Sequence, residues 1–441
     1  MGIKGARRDR YSRREFLALG GGALAGLGAL GLAGCGGAGA GSASDELSFL
    51  VWAGTAEEEG FRGAIRRYEE KNPGVRIRLI VAPYDNYVKL NTLLAAGVAP
   101  DLVRCQYQML GRYSSAEAFV DLSGYLEPDY GDAFTPALWQ AVNYEGRPHA
   151  LPHHTDTFAV FYNKDIFGKL GIEVPQRLEE SWTWEEFVRV ARRLKESGEA
   201  DYPFAMAWQN LSSAYRWMWF LFQHGGHLLN ENLTAPTVDN EVGIETIAWN
   251  KMWFDEELVP PSTSIKSSQL IETLFANGNI AMMLNGNWMI PFLEDSMSAG
   301  WDVTYMIQDV EMASDMGGNA VAVTRDSRNP ELAADFLKHL VSEEEMERFC
   351  VGAQFIPVRK SLVERGLDYS LRPEDMNLFV EQSTTVPEKM AREQTVPNAS
   401  QITQVLGNEL EQAFKTGQSA EETARNISEG IERIFEQGDE G

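Results

Sequence analysis

Residues 47–81, LSFLVWAGTAEEEGFRGAIRRYEEKNPGVRIRLIV, decide the fold. Leu47–Trp52 reads as a strand, Gly54 and Thr55 follow it, and Ala56–Lys71 carries a helical pattern. Asn72-Pro73-Gly74 stops that helix, and Val75–Val81 alternates as a second strand. A helix near Asn86–Ala96 leads through Gly97 to a third strand at Asp101–Arg104. This βαβαβ rhythm predicts a parallel sheet wrapped by helices.

After a turn at Leu151–Asp156 and a strand at Phe158–Tyr162, the chain becomes aromatic and mainly helical. Trp182–Ser197 is predicted as one helix, with Glu185 and Glu186 in its first turn and Arg192, Arg193 and Lys195 towards its end, matching its dipole. Tyr215–Gln223 is a second, closed by Gly225-Gly226. All 11 tryptophans lie between Trp52 and Trp301. Strand character resumes at Val321–Thr324, followed by helices over Asn329–Val341 and within Glu409–Phe435. A chain that starts a βα lobe, leaves it for an aromatic-rich one and returns makes two lobes with a cleft between them.

The N-terminus reads as an address. Arg7, Arg8, Arg10, Arg13 and Arg14 precede an apolar run at Phe16–Gly34, the layout of an export signal. That run is glycine-rich, hence weakly hydrophobic and a poor helix. Arg13-Arg14 within Ser12–Leu17 resembles the twin-arginine consensus. Leu32-Ala33-Gly34-Cys35 resembles a bacterial lipobox, whose cysteine is lipidated and becomes the mature N-terminus. Together they predict export of a folded chain by the twin-arginine route and a lipid anchor at Cys35. The protein would sit on the outer face of the cytoplasmic membrane, at the cell surface or in the periplasm, with Gly36–Ser44 as a flexible leash.

Formal charge is −25, and loss of residues 1–34, with six basic and two acidic side chains, makes it −29. That excludes nucleic acid as a default partner and keeps the protein off anionic lipid apart from its anchor. About four hundred mature residues exceed one ordinary core, which again predicts two lobes. Beyond Cys35 only Cys105 and Cys350 remain, in apolar surroundings that favour buried free thiols over a disulfide framework.

The stretches FRGAIRRYEEKNPGVRIRL, LLAAGVAPDLV, FYNKDIFGKLGI, SWTWEEFVRVARRL, LFANGNIAMMLNGNW, MGGNAVAVTRDSRNPELAADFLKHLVSEE and FIPVRKSL follow one another between about residues 46 and 435. Each is mainly core and turn. In this order, behind a lipoprotein signal, they resemble the family 1 extracellular solute-binding proteins, the maltose-binding-like receptors of ABC importers. The resemblance implies an α/β, two-lobe periplasmic-binding-protein type II fold with an interlobe ligand cleft and a hinge near His153–Phe158 and Gly317–Val323. It divides the chain into a signal at 1–34, a tether at 35–45, a first lobe from 46–154 and 318–375, and a second from 155–317 and 376–441. It implies a monomeric receptor, without cofactor, metal or enzyme chemistry. Such a receptor captures an extracellular mono- or oligosaccharide and delivers it to permease subunits served by a cytoplasmic ATPase. The alternative solutes on the same fold are a sugar phosphate, a polyol or a metal.

A sugar presents C–H faces and hydroxyl edges, so its site needs flat aromatics and directional acceptors. Asp156 resembles the position where family members place an acidic sugar ligand; its other reading is a turn cap. Trp288, in Asn285-Gly286-Asn287-Trp288, matches a recurrent cleft aromatic. Trp208, Asn210 and Tyr215 fall on a strand-to-helix loop that faces the cleft in the family plan, whereas Trp217 and Trp219 read as core. Trp52, Thr55 and Glu58 end the first strand and open its helix, with Thr55 a ligand or an N-cap. Gln106 and Gln108 follow the third strand, within reach of hydroxyls. Gly317 and Gly318 either bring backbone N–H groups close to a ligand or free the hinge. Arg359 binds a hydroxyl or acid, or makes a surface ion pair. Positions near Asn398–Gln401 that are aromatic in maltodextrin receptors are not aromatic here, which argues against a long maltodextrin.

Two rivals remain. His153, His154, Asp156, His224 and His227 are a candidate zinc set, although His224-Gly-Gly-His227 sits at a helix end that the dipole and cap explain. An anchored glycoside hydrolase needs two carboxylates across a bond, and Glu58 with Asp156 is the obvious cleft pair. The chain has no Gly-x-Ser-x-Gly elbow, no His-Glu-x-x-His and no P-loop.

Overall fold

The apolar runs of the N-terminal third form β1 (Glu46–Trp52), α1 (Thr55–Lys71), β2 (Arg76–Ala82), α2 (Tyr87–Ala95), β3 (Leu102–Gln106) and α3 (Tyr107–Ser115). In this computed structural model residues 45–83, 87–208, 211–267, 269–297 and 299–439 are described. Arg13, Arg14, Cys35 and Asn210 lie outside them. Phe61, Ala64, Ile65 and Tyr68 recur at helical spacing and bury one face of α1, with Phe61 edge-on to Phe49 of β1 at 5.4 Å.

Further along come β4 (Leu151–His154), β5 (Phe158–Asn163), α4 (Trp184–Ser197), β6 (Tyr202–Met206), α5 (Met218–Gln223), β7 (Ile280–Gly286), β8 (Trp301–Thr304) and β9 (Asn319–Val323). The first sheet has the order β2-β1-β3-β9-β4. β1 pairs in parallel with β2 and β3, as expected, but β9 is antiparallel to β3 and to β4. The sheet is therefore mixed. β4 and β9 belong to the two passages that connect the sheets, not to a helix crossover of the kind parallel neighbours require. The second sheet has the order β8-β5-β7-β6, and every residue of β5 and β7 is buried, as in strands covered on both faces.

Helix α4 begins at Trp184, not Trp182, because Thr183 caps it. The Thr183 hydroxyl accepts from Glu186 N at 3.2 Å, and the Glu186 carboxylate accepts from Thr183 N at 3.0 Å. The helix expected over Tyr215–Gln223 is instead a 3-10 stretch, Leu211–Trp217, running into α5. The C-terminal part adds α6 (Pro330–Leu340), α7 (Glu343–Ala353), α8 (Pro373–Gln382), α9 (Glu388–Gln394), α10 (Ala399–Thr416) and α11 (Ala420–Asp439). α6 and α7 pack on α1, α8 packs on β5 and β8, and α10 touches both α3 and the 3-10 stretch. Cys105 and Cys350 are buried free thiols. Among the described residues no helix is long and apolar enough to cross a membrane.

Two chain passages connect the sheets, Thr155–Thr157 between β4 and β5, and residues 305–318 between β8 and β9. They lie against each other. Gly317 N donates to Asp156 O at 3.1 Å, and Thr155 Oγ1 donates to Gly317 O at 3.0 Å. Gly318 has φ +88°, and a Cβ there would sit 2.5 Å from both His154 O and Thr155 Cα. Left-handed strain and collision with backbone add. Gly318→Ala should cost about 2–4 kcal/mol, read as a lower denaturant midpoint at constant slope. An unchanged midpoint would show that the passages can separate freely.

Candidate functional site

Charged side chains gather where the passages meet. Arg104 is a lone charge in the apolar strand β3 and only 1% exposed. It pairs with Glu57 at 2.6 Å, donates to Trp52 O at 2.5 Å and to His154 Nε2 at 3.2 Å, and lies over the Trp52 ring at 5.2 Å. From the second sheet's side, Arg216 pairs with buried Asp315 at 3.2 Å. Its guanidinium stands over the rings of Phe158, Tyr215 and Trp288 at 5.0, 5.7 and 5.5 Å. A buried charge is tolerated when it is paired, and each arginine has its carboxylate. Asp156 is different: it is partly buried, and its Oδ1 has no hydrogen-bond partner. Burial pushes its carboxyl up to about 7, with Arg104 and Arg216 pulling down and Glu57 and Asp315 pushing up.

Beside this layer is a cavity of about 270 Å³. Met206, Trp208, Trp288 and Met289 form its apolar side, and Thr263, Ser264, Ser267 and Gln269 give it a polar wall, with Asn285 and the acidic Glu272 also lining it. Trp288 is partly exposed and edge-on to Phe158 at 5.5 Å. Trp208 is nearly buried, tilted against Phe414 at 6.0 Å. The polar loop is held from behind by Glu411 of α10, which accepts from Ser264 Oγ at 3.0 Å and Lys266 N at 3.2 Å.

The structure thus draws Asp156, Gly317, Gly318, Tyr215, Trp288 and Trp208 to one region, with Trp52 joined to it through Arg104. Gln108 belongs here too, donating to Met316 O at 2.7 Å. Gln106 is engaged with Tyr87, whose hydroxyl accepts from Gln106 N at 3.1 Å. Thr55 is exposed and opens α1 behind its N-cap, Gly54, so the capping reading of Thr55 does not hold. Glu58 pairs along its own helix with Arg62 at 2.7 Å; the acid turned towards Arg104 is its neighbour Glu57. Arg359 donates to Val341 O at 2.6 Å and lies over Phe134 at 4.9 Å, apart from this group and, among the described residues, in no surface ion pair. Trp217 and Trp219 are fully buried.

The histidines do not converge. His153 and His154 are sealed among Phe61, Phe349 and Phe355, and burial with Arg104 nearby holds His153 down to about 3, hence neutral. His224 bonds Asp309 and Glu245, while His227 lies 3.9 Å from Glu393. Among the described residues no three His, Cys, Asp or Glu side chains form a metal-holding group. Sequence reasoning passed over Arg104, Glu57, Arg216 and Asp315. The available signal was an arginine inside each of two buried runs, LVRCQY and AYRWMWF, since such a charge must find a partner.

Asp156 makes a pH prediction. Its folded-state carboxyl titrates near 7 and an unfolded one near 3.8, so the folded chain holds this proton more tightly. Stability from this group is therefore present at low pH and lost as pH rises through that window. Asp156→Asn should leave stability unchanged at pH 4 and raise it at pH 8 by on the order of 1–3 kcal/mol, in paired denaturant titrations. An equal offset at both pH values would contradict the assignment.

Residues 52–347 match the model of a family described as bacterial extracellular solute-binding protein. The galactooligosaccharide-binding protein of Bacillus subtilis (strain 168) is 22% identical over 336 residues, 73% of this chain and 75% of that protein. Among solved structures, the cyclic α-maltosyl-1,6-maltose binding protein of Arthrobacter globiformis superposes with a TM-score of 0.76 at 16% identity, covering 89% of this chain and 99% of that one. An ABC substrate-binding protein of Listeria monocytogenes in complex with cycloalternan gives 0.73 at 22%, covering 88% and 98%. These structures share the two-lobe fold. With well over half of its length matched by the family model, the chain belongs to the bacterial extracellular solute-binding proteins.

Proposed function

We propose that this protein is the solute-capturing component of an ABC importer, exported by the twin-arginine route, anchored through Cys35, and specific for a small uncharged carbohydrate. The observation that carries the reading is the cavity between Trp288, Trp208 and the neutral loop of Thr263, Ser264, Ser267 and Gln269. Aromatic planes suit C–H faces, and hydroxyl and amide groups suit hydroxyl edges. Support also comes from relatives whose named ligands are oligosaccharides. The nearby guanidiniums are already committed, Arg104 to Glu57 and Arg216 to Asp315, and the layer holds more carboxylates than arginines. A sugar acid or phosphate would have to compete with these carboxylates for both guanidiniums. Closing the lobes about the passages would bury that solute and create the surface a permease reads.

A thermal-shift screen against neutral mono- and disaccharides, polyols, uronic acids, sugar phosphates and zinc tests this. A neutral saccharide should raise the melting point by linkage, and Asp156→Ala and Trp288→Ala should abolish the shift. Silence from neutral saccharides, with a shift from a phosphate or from zinc, would discard the sugar.

A further inference from the structure

One buried side chain touches the first lobe, a passage and the solute cavity's aromatic wall together. Asn287 is fully buried. Its Oδ1 accepts from Thr157 N at 3.3 Å, and its Nδ2 donates to Gln354 O at 2.9 Å. Thr157 ends the first passage and donates its hydroxyl to Asp315 O of the second at 3.0 Å. Gln354 caps α7, which packs on α1 of the first lobe, in a left-handed conformation with φ 58°. A non-glycine residue keeps that conformation only where its surroundings hold it.

Trp288 follows Asn287 in a single 3-10 turn, Asn287–Met289. A Cβ on Gly286 would lie 2.0 Å from the Trp288 ring, so the indole rests directly on the strand end from which it grows. Phe158, paired with Gly286 across β5 and β7, backs the same ring. Held on these sides, the ring is packed against the short turn that also carries Asn287.

We infer that Asn287 is the positioning residue that couples the Trp288 face of the site to the angle between the lobes. A solute on Trp288 steadies the turn, and Asn287 passes this to α7 through the Gln354 carbonyl and to the passages through Thr157 N–H. The Gln354 bond ties the end of β7 to the end of α7 beside the first passage, where Ile356 N donates to Thr155 O at 3.2 Å and Thr155 N to Ile356 O at 2.9 Å. For Asn287 to act as a coupling residue, that bond must differ between open and closed arrangements. The inference rests on Trp288 lining the solute site, as proposed above.

A double-mutant cycle read by hydrogen exchange in the solute-free protein tests it. Asn287→Asp keeps the acceptor for Thr157 N–H and loses the donor to Gln354 O. Trp288→Ala should speed exchange at residues 354–356 by about threefold or more, the scale of one lost hydrogen bond, and should add nothing in the Asn287→Asp background. Equal effects in both backgrounds, or none in the wild type, would overturn the coupling. If Asn287→Asp fails to fold, Asn287→Ser, too short to reach Gln354 O, takes its place. Because no solute enters this cycle, silence across the neutral saccharides of the melting screen would sink the carbohydrate reading while the cycle still scores the coupling.

Discussion

The contact between Asp156 and Gly317 fixes the geometry from which the cleft is built. β4 and β9 are neighbours in the first sheet, so the passages that continue them lie side by side. Gly317 N to Asp156 O, Thr155 Oγ1 to Gly317 O and Thr157 Oγ1 to Asp315 O then lace the two together. Such lacing requires backbones closer than any Cβ allows at 318, where glycine also supplies the positive φ. Asp156, Asp315 and Gly317 are consequently held together by these contacts. Groups carried by the lobes, such as Arg104 and Trp288, come to meet them.

Charge in this region is balanced lobe by lobe. Arg104 is neutralised by Glu57, both from elements of the first lobe, and Arg216 by Asp315 beneath the second lobe's rings. Burying an ion pair gains little stability over apolar packing, but removing one partner is expensive, so each pair enforces its own geometry. Asp156 has no such dedicated partner, and its raised titration shows the cost. The neutral state of His153 fits the same balance, since a second cation beside Arg104 would be repelled. Asp156 Oδ1 and Asp315 Oδ1 both lack a hydrogen-bond partner among the described residues, and unsatisfied carboxylate oxygens are where a polar solute has most to offer.

The sequence made some of this legible and hid the rest for identifiable reasons. β1, α1, β2 and β3 announce themselves through clean periodicity and the Asn-Pro-Gly stop. α4 and α6 carry side-chain caps at Thr183 and Asn329. β7, a central strand of the second sheet, was missed because Ile280–Gly286 is buried throughout and shows no alternation. Glu58 was chosen over Glu57 because composition names the residue type, whereas helix phase, about 100° per residue, decides which one turns inward. Asp156 and Trp288 were singled out by the family resemblance, since a turn acid also reads as a cap and a tryptophan after a strand also reads as core. The loop of Thr263, Ser264, Ser267 and Gln269 has no such mark. Small polar residues look alike on any surface loop, and only Glu411, distant in sequence, makes these into a wall.

The abundance of tryptophan also changes meaning in three dimensions. Along the chain all 11 lie between Trp52 and Trp301. In the fold several of these rings pack against other aromatics, mostly edge-on or tilted. Trp184 lies 3.9 Å from Trp249, which meets Phe220 and Trp253; Phe220 meets Trp219, and Trp219 meets Phe158 at 4.6 Å. Trp288 ends this chain of contacts, edge-on to Phe158 and partly open to the cavity. A ring backed by close-packed aromatics has little freedom to lose when a solute settles on it, so less of the contact energy is spent on ordering. The aromatic lobe therefore serves chiefly as a stiff mount for the ring at its end. On the proposed reading, choice among solutes would fall to that ring, to Asp156 and to the polar loop, with the packed aromatics behind them as scaffold.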